Sequence, residues 1–271
     1  MIDTGNQDTV KTVLSIAGFD SIGGAGLQAD SKTISALGCY AMNVITALPI
    51  QNTLGVRSVY PIPDQAVEDQ LNCIFDDIYP DSVKIGMLPN PKQVEIVARF
   101  LEDYKGNIVI DPVMVSTSGH SLVDQETIML STELLYPMAT LVTPNLDEAS
   151  MLIGCKVSNV EEMNQAIDKL INMGMPAVLL KGGHLDSEKL SSILKIRGQE
   201  PEIFESERIT SKNTRGTGCT LSSAIASYLA LGDPLPIACK KALDYVYQSI
   251  LAAKDISLGK GNGPLNHFFT R

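Results

Sequence analysis

Short, nearly continuous apolar runs recur at residues 12–17, 43–48, 82–86, 108–111, 140–143 and 177–181. Runs of that length and β-branched content predict strands buried on both faces, as in a parallel sheet. Between them the apolar positions follow a helical period with legible ends. Asn90-Pro91 supplies an N-cap and a first-turn proline, predicting a helix to about Tyr104. Ser158-Asn-Val-Glu161 reads as a capping box for another helix, which Gly174 closes. Residues 191–209 differ, with two extended runs around Gly198-Gln199 that predict an antiparallel hairpin at the sheet edge. Strand–helix alternation of this kind predicts a three-layer α/β domain with a mainly parallel sheet. Such sheets bind ligands at the carboxyl ends of their strands. No repeat, low-complexity tract or linker divides the chain, so residues 1–271 are read as one domain.

Composition narrows the function classes. Twenty-one Lys and Arg against 31 Asp and Glu give a net charge of −10, which argues against a nucleic-acid groove or an anionic membrane surface. Hydrophobic residues make up 44% of the chain, ample for a core. No apolar stretch has the length of a spanning helix, and the first residues carry no signal-peptide core, so a cytoplasmic protein is expected. Five scattered cysteines without CxxC spacing, and three histidines (His120, His184, His267) without a close pair, disfavour a disulfide frame or a structural metal.

The chemistry gathers at predicted strand ends. The first strand runs into Gly18-Phe-Asp20-Ser-Ile-Gly23-Gly24-Ala-Gly26, a loop whose bare backbone lets N–H groups approach a ligand; a merely tight βα turn is the other reading. In the helix that follows, Asp30 falls on the apolar stripe of Leu27, Ile34 and Leu37. A carboxylate on the core side needs either a ligand or an internal partner. Gln51, at the end of the second run, has the donors and acceptor to read a heteroaromatic edge, or is an ordinary loop residue. Asp111 ends one strand. Asn145-x-x-Glu148 follows another, as a capping box, as a carboxylate near hydrated Mg²⁺, or as both. The most specific signal is Asn213-Thr-Arg-Gly216-Thr217-Gly218-Cys219-Thr220 opening a helix. Its glycines aim free N–H groups outward as an anion hole, and the helix end is expected to lower the Cys219 thiol pKa. A buried structural cysteine beside a tight turn is the plainer alternative.

With these segments in view, the chain closely resembles the hydroxymethylpyrimidine/phosphomethylpyrimidine kinase family of the ribokinase superfamily. The likeness runs through SIAGFDSIGGAGLQADSKTISALG, VITALPIQNTLGV, VKIGMLP, VIDPVM, TPNLDEA, LLKGGH, KNTRGTGCTLSSAIA and GNGPLNHF. The resemblance implies a ribokinase-like α/β/α sandwich, usually a homodimer. It also implies ATP-dependent phosphorylation of 4-amino-5-hydroxymethyl-2-methylpyrimidine and then of its monophosphate, in thiamine biosynthesis. By the same resemblance, Gly18, Gln51, Asp30 and Met87 are substrate-site residues, and Gly216, Gly218 and Cys219 form the catalytic loop. Lys181, Thr214 and Asn145 then lie on the nucleotide side, with Asp111 and Glu148 in the Mg²⁺–phosphate region. The chain departs from the family pattern at Ser21-Ile22, where Pro-Ser is usual, and at Arg215, where His is usual. Residues 116–119 occupy the family's flap without the second cysteine of some relatives.

Three other functions compete. A pyridoxal kinase shares the glycine loop, but its substrate lacks the paired ring nitrogen and amino group that suit Gln51. A nicotinamide-dependent oxidoreductase is disfavoured because GxGxxG is missing after the first strand. A silent pyrimidine sensor is disfavoured by the intact Gly-Thr-Gly-Cys.

Overall fold

The computed structural model describes residues 10–114, 122–183 and 189–269. The flap residues 116–119, with His120 and His184, lie outside them. An eight-stranded sheet forms the centre. Its strands, in chain order, are β1 (Thr12–Ala17), β2 (Tyr40–Ile45), β5 (Ser82–Ile85), β6 (Asn107–Ile110), β7 (Leu141–Val142), β8 (Ala177–Lys181), β9 (Lys189–Ile196) and β10 (Glu202–Glu207). In space they run β10-β9-β8-β7-β6-β5-β1-β2, parallel except for β9 and β10. The expected edge hairpin is present, turning at Gly198, whose φ is +79°.

The period of two along each strand sorts the core into two layers. Leu14 and Ile16, Val83 and Ile85, Ile108 and Ile110, and Val178 and Leu180 face one side. There they meet α2 (Asp64–Asp77), α3 (Pro91–Leu101), α4 (Gln125–Leu134), α5 (Leu146–Ile153) and α6 (Val160–Asn172). Val13, Val109, Ala177 and Leu179 face α1 (Gly26–Ala36), α7 (Thr217–Ala230) and α8 (Leu235–Ala253) on the other. This is the three-layer sandwich the alternation predicts.

Three sequence expectations need correction. The apolar run 43–48 is not one strand. β2 ends at Ile45, Thr46 turns the chain by donating its hydroxyl to the Met87 carbonyl, and Ala47 begins a separate hairpin. That hairpin pairs β3 (Ala47–Asn52) with β4 (Gly55–Pro61), and its outer residues Leu48, Ile50 and Tyr60 are exposed. The helix from Pro91 stops at Leu101, because Tyr104 leaves it to donate its hydroxyl to Pro80 O. The α6 cap is Asn159, which accepts from Glu162 N, while Glu162 reaches back to Ser158; the capping frame lies one residue later than Ser158–Glu161.

Candidate active site

The carboxyl ends of the parallel strands open on one cleft of about 1410 Å³. Gly18 follows β1, Gln51 sits in β3, Met87 follows β5, Asp111 follows β6, Asn145 and Glu148 follow β7, and Lys181 ends β8; all line it. Thr214, Gly216, Gly218 and Cys219 line it from the start of α7. Of the substrate and nucleotide residues named from sequence, Asp30 alone does not.

Two glycine loops interlock at the cleft's centre. Gly26 (φ +52°) starts α1 so close to the Gly18 carbonyl that a Cβ would collide with it. Gly216 (φ +83°) caps α7 with its Cα against the Gly24 carbonyl, where a side chain is equally excluded. Asp20 holds the first loop together: its Oδ2 accepts from Gly24 N at 2.9 Å and Ala25 N at 2.8 Å. The start of α1 comes close to the thiol, and the Gly26 N–H favours the charged form of Cys219.

The end of the cleft away from Gln51 is built by β6, β7 and β8. Lys181 Nζ donates to Asp111 Oδ1 at 2.9 Å and lies 4.0 Å from Glu148 Oε2. Asn145 and Glu148 form a reciprocal capping box that opens α5, with Asn145 N donating to Glu148 Oε2 at 2.8 Å. Burial pushes the Glu148 carboxyl up to about 7; Lys181 pulls it down and Asp111 pushes it further up. Burial alone would lower Lys181, but Asp111 and Glu148 outweigh it and hold the ammonium above its usual range. Asp111 Oδ2 and Glu148 Oε1 have no partner among the described residues. No cluster of three or more His, Cys, Asp or Glu metal ligands forms among those residues. Two carboxylates that each keep one oxygen unengaged among the described residues suit Mg²⁺, which keeps several waters and takes its remaining oxygens from substrate phosphates.

Two sequence readings change here. Asp30 is not a wall residue. It is fully buried, with Oδ2 accepting from Ser15 Oγ (2.5 Å) and Lys84 Nζ (2.8 Å) and Oδ1 accepting from Ser223 Oγ (2.6 Å). Its stripe position is explained by internal partners, which leave no oxygen for a substrate. Cys219 is half-buried, and its thiol is not lowered by the helix end. Burial pushes it up to about 11, Lys84 and the Gly26 N–H pull it down, and Asp30 and Asp111 push it up. Desolvation outweighs the dipole, so the resting group is a thiol.

Lys84 is the residue sequence reading missed. It is fully buried, reaches the cleft floor beside Gly86, and is held up as an ammonium by Asp30, Cys219 and Asp111 against the lowering effect of burial. The signal was a lone lysine inside a strand that otherwise reads as buried on both faces.

A family model described as phosphomethylpyrimidine kinase matches residues 20–266. The chain is 46% identical over 94% of its length to a bifunctional thiamine biosynthesis protein of Geobacter sulfurreducens, of which it covers 52%. It thus spans about half of that two-function relative. It is 42% identical over 94% of its length to the hydroxymethylpyrimidine/phosphomethylpyrimidine kinase of Rhizobium meliloti, of which it covers 96%. The ADP complex of Bacillus subtilis pyridoxal kinase superimposes with a TM-score of 0.86 at 35% identity, covering 96% of this chain and 98% of that one. No helix among the described residues is long and apolar enough to cross a membrane. Sequence, fold and cleft agree that the chain belongs to the phosphomethylpyrimidine kinase family.

Proposed function

We propose that the protein phosphorylates the hydroxymethyl group of 4-amino-5-hydroxymethyl-2-methylpyrimidine with ATP, and then phosphorylates the monophosphate, in thiamine diphosphate biosynthesis. The observation that carries this reading is the order of groups along one cleft. The Gln51 amide stands at one end, the Gly216–Cys219 loop in the middle, and Asp111, Glu148 and Lys181 at the other. An amide offers a donor and an acceptor side by side, matching the ring nitrogen and amino group of an aminopyrimidine. Gly18 leaves bare backbone between Met87 and Pro49, which suits a flat ring.

In the first transfer the hydroxymethyl oxygen attacks the γ-phosphorus, the bond to the bridging oxygen breaks, and ADP departs. The N–H groups of Gly216, Gly218 and Cys219, at the positive end of α7, stabilise charge on the transferring group. Cys219, once deprotonated, receives the hydroxyl proton. Lys181 neutralises phosphate charge, with Asn145 next to it across a β-bridge and Thr214 lining the same cleft. Mg²⁺ would be held by Asp111 and Glu148 and would supply further charge neutralisation on the nucleotide phosphates. ATP dependence goes with a cytoplasmic location. The exposed apolar face of the β3–β4 hairpin is compatible with a homodimer.

The fold likeness to a pyridoxal kinase keeps that activity as the second reading. A panel of acceptors with ATP, resolving monophosphate from diphosphate products, separates the two. The pyrimidine alcohol and its monophosphate should be turned over with higher kcat/KM than pyridoxal, and a preference for pyridoxal would overturn the first reading.

A further inference from the structure

The usual histidine before the glycine loop is Arg215 in this chain, and neither capping nor core packing accounts for the whole of its side chain. Arg215 is 7% exposed, yet it lines the cleft. Its stem packs on Gly24, its backbone N–H donates to Gly263 O at 3.1 Å, and its Nε faces Asp20 Oδ2 at 3.4 Å. Neither Nη group has a partner among the described residues, and neither is sealed from solvent as an unsatisfied buried atom. A nine-tenths-buried guanidinium is therefore anchored at its inner edge and presents its outer fork to the cleft. Arg215 Cδ and Nε lie against Gly24, in the loop 18–26 that interlocks with Gly216 at the start of α7.

The two-step reaction puts an anion where these loops interlock. The α7 hole and the nucleotide groups are fixed, so the attacking oxygen must occupy the same place in both transfers. In the first it is the hydroxymethyl oxygen. In the second it is an oxygen of the acceptor's own phosphate, so the ring must sit further back and the phosphate must fill the space between ring and hole. Lys181, Asp111 and Glu148 stand on the far side of the hole, with the donor phosphates. Facing the acceptor phosphate, the fork of Arg215 is the matching cation, since guanidinium binds phosphate through parallel N–H bonds.

We infer that Arg215 receives the acceptor phosphate in the second phosphorylation and so sets the chain's preference for the monophosphate over the alcohol. The inference rests on the pyrimidine kinase reading. In that step a phosphate oxygen bonds to the γ-phosphorus, the bond from that phosphorus to the bridging oxygen breaks, and ADP leaves with its electron pair. A dianionic acceptor has no proton to lose.

The test measures kcat and KM for the alcohol, the monophosphate and ATP in wild type, Arg215→Met and Arg215→Lys. Losing a charge-assisted fork should lower kcat/KM for the monophosphate at least about tenfold more than for the alcohol in Arg215→Met, mainly through KM. Arg215→Lys, which keeps the charge but not the fork, should fall between Met and wild type, and it carries the test if the Met variant does not fold. Equal losses for both acceptors would make Arg215 only a strut between the loops, and a rise in KM for ATP would place it on the donor; either result overturns the inference. If wild type accepts both pyrimidines and the ratio is unmoved by substitution, the inference alone falls. If wild type accepts neither, the kinase reading falls with it.

Discussion

Cys219 faces two opposed influences, the positive end of α7 and the loss of water around its sulfur, and the second prevails with a pKa of about 11. A base with that pKa is mostly protonated at neutral pH, and its active form increases about tenfold per pH unit. If Cys219 accepts the hydroxyl proton, kcat for the first transfer should climb with nearly unit slope from pH 7 to 9. The second transfer, whose acceptor is already an anion, should climb far less. A flat first-step profile would remove Cys219 from the proton's path. Cys219→Ala should cost the first step at least about 10²-fold in kcat and the second step less, read by single-turnover assays of each acceptor. The position of Cys219 was legible because strand-end glycines and a helix start are local patterns. Its protonation was not, because burial of the sulfur and the charges of Lys84 and Asp111 around it are set by segments that fold in from distant strands.

The same contrast between local and non-local information governs the elements. β1, β8 and the edge hairpin were readable from their own residues, as was the Asn145–Glu148 cap. The division of 43–48 into two strands was hidden, because an unbroken apolar run does not record where the chain turns; a hydroxyl bond from Thr46 to a distant carbonyl does that. The polar cluster under the Gly216–Cys219 loop was still less visible. Ser15 on β1, Asp30 on α1, Lys84 on β5 and Ser223 on α7 meet because strand parity turns Ser15 and Lys84 toward the α1–α7 layer. Ser223 lies one turn below Cys219, so this cluster fastens α7 to two strands and a helix. Removing one member of a buried ion pair leaves the other charge uncompensated, at a cost of about 3–5 kcal/mol. Lys84→Met should therefore lose stability of that order in urea unfolding. Adding Asp30→Asn should restore much of it, because the two effects are coupled. A Lys84→Met protein with the wild-type unfolding midpoint would show that the pair holds nothing.

At the scale of the whole molecule, residues 253–269 tie the site together from the carboxyl-terminal side. Asn213 Nδ2 donates to Ala253 O and Ile256 O, Gly263 O accepts from Arg215 N, and the hairpin turn at Thr53 binds Lys260, Gly261 and Asn262. His267 completes the tie: its Nε2 lies 3.1 Å from Thr220 Oγ1 in α7, and its carbonyl accepts from Tyr245 of α8. Burial, with a smaller contribution from Lys32, holds the imidazole down at about 4. Because the folded pKa is depressed, the stability contributed by neutral His267 is fully present above about pH 6.5, the unfolded value. It is lost as pH falls toward 4, since the unfolded chain takes up a proton that the folded chain refuses. Glu148 acts in the opposite direction over an overlapping window: with its folded pKa raised to about 7, protonation favours the folded state as pH falls from 7 toward its unfolded value. The two partly cancel in wild type, so the acid sensitivity of the carboxyl-terminal tie appears only by difference. Relative to His267→Gln, wild type should lose on the order of 2–3 kcal/mol of unfolding free energy between pH 7.5 and 4.5, measured by urea denaturation at each pH. Parallel stability curves for the two proteins would mean that His267 titrates alike folded and unfolded, and that the tie does not depend on a neutral ring.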